Sequence, residues 1–294
     1  MDGILNINKP PGKTSFSIVA LVKRLTRERR VGHAGTLDPS ATGVLPVCLG
    51  RATRVIEFLV EATKAYRARI ELGVTTDTYD ADGRIIKKED TSGISREQLE
   101  SALHSFRGLI EQTPPMFSAV KHRGRPLYEL ARAGVDVERR SRLVKIHHLE
   151  LVDWQPPVVT LEIVCGKGTY IRSLAHDLGQ SLGCGAILKE LTRFRYGLFD
   201  IKDAVSVTEL EDAFRYGYWQ HLLYPADIIL LDWSAIIVGE ATSQLIKNGR
   251  PVDFLEKHLP FENRCRAYTL NGCFLGVLDF NPKSGQWQPR KVLL

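Results

Sequence analysis

The chain has 294 residues, 44% of them hydrophobic and 25% charged, a balance that excludes a disordered or fibrous protein and a length that accommodates one large domain with a small second one. Forty Lys and Arg against 34 Asp and Glu leave a net charge of +6, a modest excess that suits a polyanion-binding surface without demanding one. The five cysteines (Cys48, Cys165, Cys184, Cys265, Cys273) are scattered, the nearest pair eight residues apart, so no metal clip or redox pair is spaced into the chain. No apolar run has the length of a bilayer span, and Met1 is not followed by a basic segment and an apolar stretch, so a cytoplasmic protein without a membrane anchor is expected.

In chain order, residues 3 to 8 read as a short strand that stops at Lys9-Pro10-Pro11-Gly12. Thr14 or Ser15 can cap a following helix with Ile18, Leu21, Val22 and Leu25 on one face, ending in Lys23, Arg24, Arg27, Arg29 and Arg30. From Val31 to Gly50, four glycines and two prolines predict a long loop. Arg51 to Glu61 reads as helical. Lys64 to Gly73 alternates, with Tyr66, Ala68, Ile70 and Leu72 on one face, as a half-buried strand does. Ser95 with Gln98 forms a capping box ahead of a helix through Leu99 to Phe106, and prolines 114 and 115 end that region. Residues 121 to 145 carry eight Lys or Arg against three acids and predict an exposed basic arm, helical only over Tyr128 to Ala133. Strands are expected at about 143 to 153 and 158 to 165. A helix carrying Ile171, Leu174, Ala175, Leu178 and Leu182 follows, and a second capping box sits at Ser206 and Glu209. Beyond a boundary near residue 235 the pattern turns to short strands, with Asn271-Gly272 between apolar runs as a hairpin signal. The expected organisation is therefore a large domain over 1–234 and a small β-rich one over 235–294.

Asp38 stands out because only Asp2 and Glu28 share its sign among the first 56 residues. It lies in Gly32-His33-Ala34-Gly35-Thr36-Leu37-Asp38-Pro39, where small residues let a bulky ligand approach the backbone and Pro39 restricts the direction of the Asp side chain. An Asp-Pro turn accounts for the same residues. Arg172 next to the apolar helix stripe and Tyr66 at the head of its strand likewise fit either a site or ordinary surface and core positions.

Several blocks occur together and in order: Lys9-Pro10 with Gly12 and Thr14-Ser15, Val31 to Pro39 with Thr42-Gly43-Val44-Leu45, Lys64-Ala65-Tyr66, Gln112 to Pro115 with Phe117-Ser118-Ala119-Val120-Lys121, and Gly168 to Leu174. Over roughly residues 3 to 200 the chain resembles the TruB pseudouridine synthases, and from about 235 it is similar, more weakly, to the PUA-type RNA-binding domain; the stretch from Asp253 to Arg264 departs from that pattern. The resemblance implies an α+β fold on a mixed, largely antiparallel sheet with flanking helices, a small C-terminal PUA-like domain, and isomerisation of uridine 55 in the T-arm of tRNA without cofactor or metal. By the same resemblance Asp38 is the essential carboxylate, Arg172 pairs with it and Tyr66 stacks on the target uracil. His33 fills the space the flipped base vacates, and Lys9, Gly35, Thr36, Leu37, Tyr170, Leu191, Lys121 and Arg132 contact the RNA. The expected partner is a T-arm stem-loop, met by a monomer with no membrane association and no obligate protein partner. Two rivals are a guide-RNA-dependent synthase acting on ribosomal RNA and a non-catalytic RNA-folding protein.

Overall fold

The computed structural model describes residues 1–253 and 263–293. Most of the 253–264 stretch, where the resemblance to a PUA-type domain is weakest, lies outside the described residues.

Among the described residues, eleven strands join one mixed sheet. Its main path runs through Val205–Ser206, Gly3–Lys9, Thr42–Leu49, Ala186–Tyr196, Lys64–Leu72, Val158–Cys165, Arg142–Gln155 and Gly108–Gln112. Every neighbour pair on that path is antiparallel except Gly3–Lys9 with Val205–Ser206 and Thr42–Leu49 with Ala186–Tyr196. The helices Ser15–Thr26, Arg96–His104, Ile171–Ser181 and Val207–Tyr216 flank the sheet. Three of them start as their residues dictate. Thr14 accepts from Ser17 N, and both capping boxes close, at Ser95 with Gln98 and at Ser206 with Glu209.

The stretch from Val31 to Gly50 is not the loop its glycines and prolines suggest. It forms strands Val31–His33 and Thr42–Leu49, leaving only residues 34 to 41 irregular. The second strand is buried along nearly its whole length, with Val44 and Cys48 in one apolar cluster and Leu45, Val47 and Leu49 in another. A strand covered on both faces reads as a continuous apolar run, and burial at about 1.5–3 kcal/mol per large side chain outweighs local propensity. Gly43 has a specific reason to be glycine. Its φ is +101°, and a Cβ there would sit 2.2 Å from the Arg193 carbonyl oxygen of the adjacent strand.

Ala186–Tyr196, central to the sheet, carries no alternating signal. Register shifts at Leu188/Glu190 and Arg193/Arg195 break its period of two, so its apolar residues fall at irregular spacing. At the other end of the chain, Ser234–Val238, Arg264–Thr269, Phe274–Asn281 and Gln286–Val292 form a separate four-stranded sheet, and the Asn271-Gly272 turn joins its second and third strands. Val277 and Leu293 of this sheet region pack with Val55 and Leu230, tying it to the larger body.

Candidate active site

The irregular segment 34 to 41 is pinned from several sides. The Ser15 hydroxyl accepts from Leu37 N at 2.9 Å and donates to Leu37 O at 3.1 Å. Gly12 N donates to Pro39 O at 2.9 Å, and the buried Lys9 ammonium donates to the carbonyls of Pro39 (3.1 Å), Pro10 (2.9 Å) and Lys13 (2.7 Å). Arg193, 1% exposed, donates to Gly35 O and Val44 O. Gly35 has φ +67°, and a Cβ would lie 2.7 Å from the Tyr196 ring, so no larger residue fits there without displacement. These bonds fix the backbone on both sides of Asp38. The Asp38 side chain itself stays 37% exposed at the edge of a cleft of about 730 Å³.

Arg172 meets Asp38 with a two-point fork, Nε to Oδ2 at 2.9 Å and Nη2 to Oδ1 at 3.1 Å. The planar guanidinium thereby sets the rotamer and the plane of the carboxylate, which a single point charge cannot do. Arg172 is itself held by Phe117 O (2.8 Å), Thr78 O (3.3 Å) and the Asp80 carboxylate (3.4 Å), with its side chain only 6% exposed. The helix that carries it, Ile171–Ser181, lacks a side-chain cap at its first residue. Gln112 fixes the backbone of the preceding residue, accepting from Tyr170 N and donating to Tyr170 O.

Asp80 was not legible as a site residue, because Asp77-Thr78-Tyr79-Asp80-Ala81-Asp82 reads as a solvated turn. In the fold Tyr79 adopts φ +65° and stacks on His176 at 3.9 Å between ring centres, and Asp80 turns inward to Arg172. Burial raises the Asp80 carboxyl above its ordinary range, against the opposing pull of the Thr78 hydroxyl and Arg172. Arg193 was missed for a similar reason: in Leu191-Thr192-Arg193-Phe194-Arg195 it reads as an exposed charge.

Tyr66, 8% exposed, lines the cleft, and burial pushes its hydroxyl above the ordinary phenol range, partly offset by Arg193. Arg193 and Lys64 both lie over the Tyr196 ring, at 4.8 and 4.7 Å from its centre. Burial lowers Lys64 to about 8 and Lys9 to about 8. His33 is likewise lowered by burial and by Arg193, and its Nδ1 is buried without a hydrogen-bond partner.

The residues singled out from sequence thus divide. Asp38, Tyr66, Arg172, His33, Gly35, Thr36, Leu37, Tyr170, Leu191 and Arg132 line one cleft. Lys9 and Lys121 do not. Lys9 was expected to contact RNA, yet it is fully buried with its ammonium spent on three carbonyls, so it braces the Asp38 loop from behind. Lys121 is exposed on a two-residue strand of the basic arm, outside the cleft lining. In that arm Arg132 reaches the cleft with its guanidinium 5.6 Å from the Tyr128 ring, while Arg139 is half-buried and donates to Pro114 O.

Comparison with known proteins gives consistent results. Residues 23–171 match the model described as TruB family pseudouridylate synthase (N terminal domain), and residues 172–230 match that of the tRNA pseudouridylate synthase B C-terminal domain. The chain is 44% identical over 295 residues to tRNA pseudouridine synthase B of Dehalococcoides mccartyi strain CBDB1, covering 100% of this chain and 97% of that one. It is 43% identical over 249 residues to tRNA pseudouridine synthase B of Clostridium tetani, covering 85% of each. A chain in the crystal structure of a Cbf5-Nop10-Gar1 complex is similar in fold, with a TM-score of 0.76 at 25% identity over 99% of this chain and 85% of that one.

Proposed function

The chain belongs to the TruB family and is a tRNA pseudouridine synthase, and from that premise we propose that its target is uridine 55 in the T-arm loop, turned out of the RNA fold before it reacts. The observation that carries this reading is the two-point seating of Asp38 on the buried Arg172, in the same cleft as Tyr66. Pseudouridine formation breaks the bond between ribose C1′ and uracil N1 and makes one between C1′ and C5. N1 gains a proton as C5 loses one, so atoms and electrons balance within the substrate. The protein's part is to hold a base that has left its stack and to keep one carboxylate aimed at the sugar and base through both steps. Asp38 is that carboxylate, Arg172 its orienting partner and Tyr66 the face on which the uracil rests. Extruding a base costs a few kcal/mol. Stacking on Tyr66 returns about 1–3 kcal/mol, and His33 is suited to fill the vacated space.

Phosphate contacts fall to the exposed basic arm, and the four-stranded C-terminal sheet serves as a second RNA-binding surface of PUA type. The protein acts in the cytoplasm as a monomer, without guide RNA or obligate protein partner. The 44% identity to a tRNA pseudouridine synthase B, against 25% to the chain of the Cbf5-Nop10-Gar1 complex, favours this over a guided ribosomal RNA enzyme. A pure RNA-folding role is disfavoured because a binder has no use for an oriented carboxylate facing an anionic ligand. The test is to incubate purified protein with unmodified tRNA and with an isolated T-arm stem-loop, then map pseudouridine. Modification at position 55 in both is expected. Modification only at another position, or only on a guide-paired ribosomal RNA fragment, overturns the assignment.

A further inference from the structure

Phe16 is 73% exposed, and of the large exposed apolar side chains among the described residues it alone borders the cleft. An isolated exposed apolar residue needs no explanation. This one stands at a defined place relative to the chemistry, because its neighbour Ser15 grips both the N–H and the carbonyl of Leu37, next to Asp38. Phe16 is the second residue of the helix Ser15–Thr26, whose first turn is fixed by the Thr14 cap, so the ring is carried on a rigid support. Lys13, three residues ahead in the chain, is exposed, and the exposed Lys167, paired with Glu61 at 2.7 Å, lines the same cleft. An exposed flat apolar ring at the border of a cleft is suited to the flat face of a nucleobase.

The target uracil itself is taken up deeper, at Tyr66 and Asp38. Turning that base out leaves the nucleotides beside it with one unstacked face each. We propose that Phe16 stacks on the nucleobase adjacent to the target uridine, covering the face exposed by extrusion. This deepens the reading above and rests on an RNA loop entering this cleft. Aromatic stacking tolerates any base, so the interaction adds affinity without demanding a sequence.

The experiment measures binding of full-length unmodified tRNA to wild type, Phe16→Ala, Phe16→Leu and Phe16→Trp at fixed salt, with urea midpoints recorded for each. Loss of one stack, at about 1–3 kcal/mol, is a fall in affinity of roughly 5- to 150-fold. Phe16→Ala and Phe16→Leu should both show it, since leucine keeps apolar area but has no flat face. Phe16→Trp should keep wild-type affinity, and RNA should quench the emission that the introduced indole adds. Unchanged urea midpoints exclude a folding defect. Affinity of the Ala or Leu variant within twofold of wild type, or indole emission of the Phe16→Trp protein unmoved at saturating RNA, overturns the proposal. Pseudouridine mapped by the wild type in the same tRNA separates the two readings: a product away from position 55 refutes the target assignment while the binding series still decides Phe16.

Discussion

Replacing Arg172 by Lys should damage activity far more than the retained charge suggests. The guanidinium forks onto both oxygens of Asp38, meets the Asp80 carboxylate, and donates to the carbonyls of Phe117 and Thr78. A lysine ammonium on a shorter reach cannot span the two oxygens of Asp38 while also meeting partners on the far side, so at least two of these bonds go unmade. Charge-assisted bonds contribute about 1.5–3 kcal/mol each. The Asp38 side is 37% exposed and can be rehydrated, whereas Asp80 is 13% exposed and cannot. We expect a stability loss of about 2–4 kcal/mol for Arg172→Lys. For Arg172→Met, which strands a buried carboxylate, the expected loss is about 3–5 kcal/mol. Single-turnover pseudouridine formation should fall at least about 100-fold in both, because a misplacement near 1 Å at the reacting group has that effect.

The decisive addition is Asp80→Asn in the Arg172→Met background. Removing the stranded charge should recover part of the stability and none of the activity, since Asp38 still lacks its fork. Urea midpoints give the first quantity. Release of label from tRNA tritiated at uracil C5 gives the second. An Arg172→Lys protein within threefold of the wild-type rate, or a double variant that regains activity along with stability, would refute the division of labour between Asp38 and Asp80.

Gly43→Ala should cost at least about 3 kcal/mol or abolish soluble expression, combining a positive φ with a Cβ 2.2 Å from Arg193 O; Gly93→Ala, which meets nothing within 4 Å, is the control, and equal urea midpoints for the two would refute the packing argument. Burial raises the Asp177 carboxyl from 3.8 to about 6. The folded state therefore holds a proton between about pH 4 and 6 that the unfolded chain has lost, so this group's contribution is largest at low pH and is lost as pH rises through 6. Asp177→Asn should accordingly stabilise the protein by about 1 kcal/mol at pH 7.5, after discounting for solvent screening of a half-exposed group, and by little at pH 4; urea midpoints at the two pH values check this, and an equal effect at both contradicts it. Neutralising the exposed Arg123, Arg125 and Arg140 to Gln should lower the log–log salt slope of tRNA binding by about 0.7–0.9 for each phosphate that is no longer neutralised, and an unchanged slope would show that these three side chains do not contact phosphates.

Much of this protein is local. The capping boxes at Ser95 and Ser206, the alternation of Lys64–Leu72 and the Asn271-Gly272 hairpin involve residues within a few positions of one another, so period and turn chemistry reveal them. The candidate site was legible for a different reason: Asp38, Tyr66 and Arg172 lie inside ordered sequence blocks resembling one family, although each alone fitted an ordinary turn, core or surface position. Hidden from the sequence was everything that depends on distant partners. Thr42–Leu49 is a strand because two apolar clusters cover its faces, and Ala186–Tyr196 loses its alternation to two register shifts set by the neighbouring strand. Lys9 was expected at the RNA and Arg193 reads as an exposed charge, but carbonyls from separated segments converge on them and turn them into internal braces of the Asp38 loop. Asp80 reads as a turn residue until the left-handed Tyr79 aims it at Arg172, 92 residues along the chain. Periodicity encodes which face of an element is buried. Which charge finds a partner is decided only when the sheet brings remote backbone together, because the cost of burying that charge is met by groups its own segment does not contain.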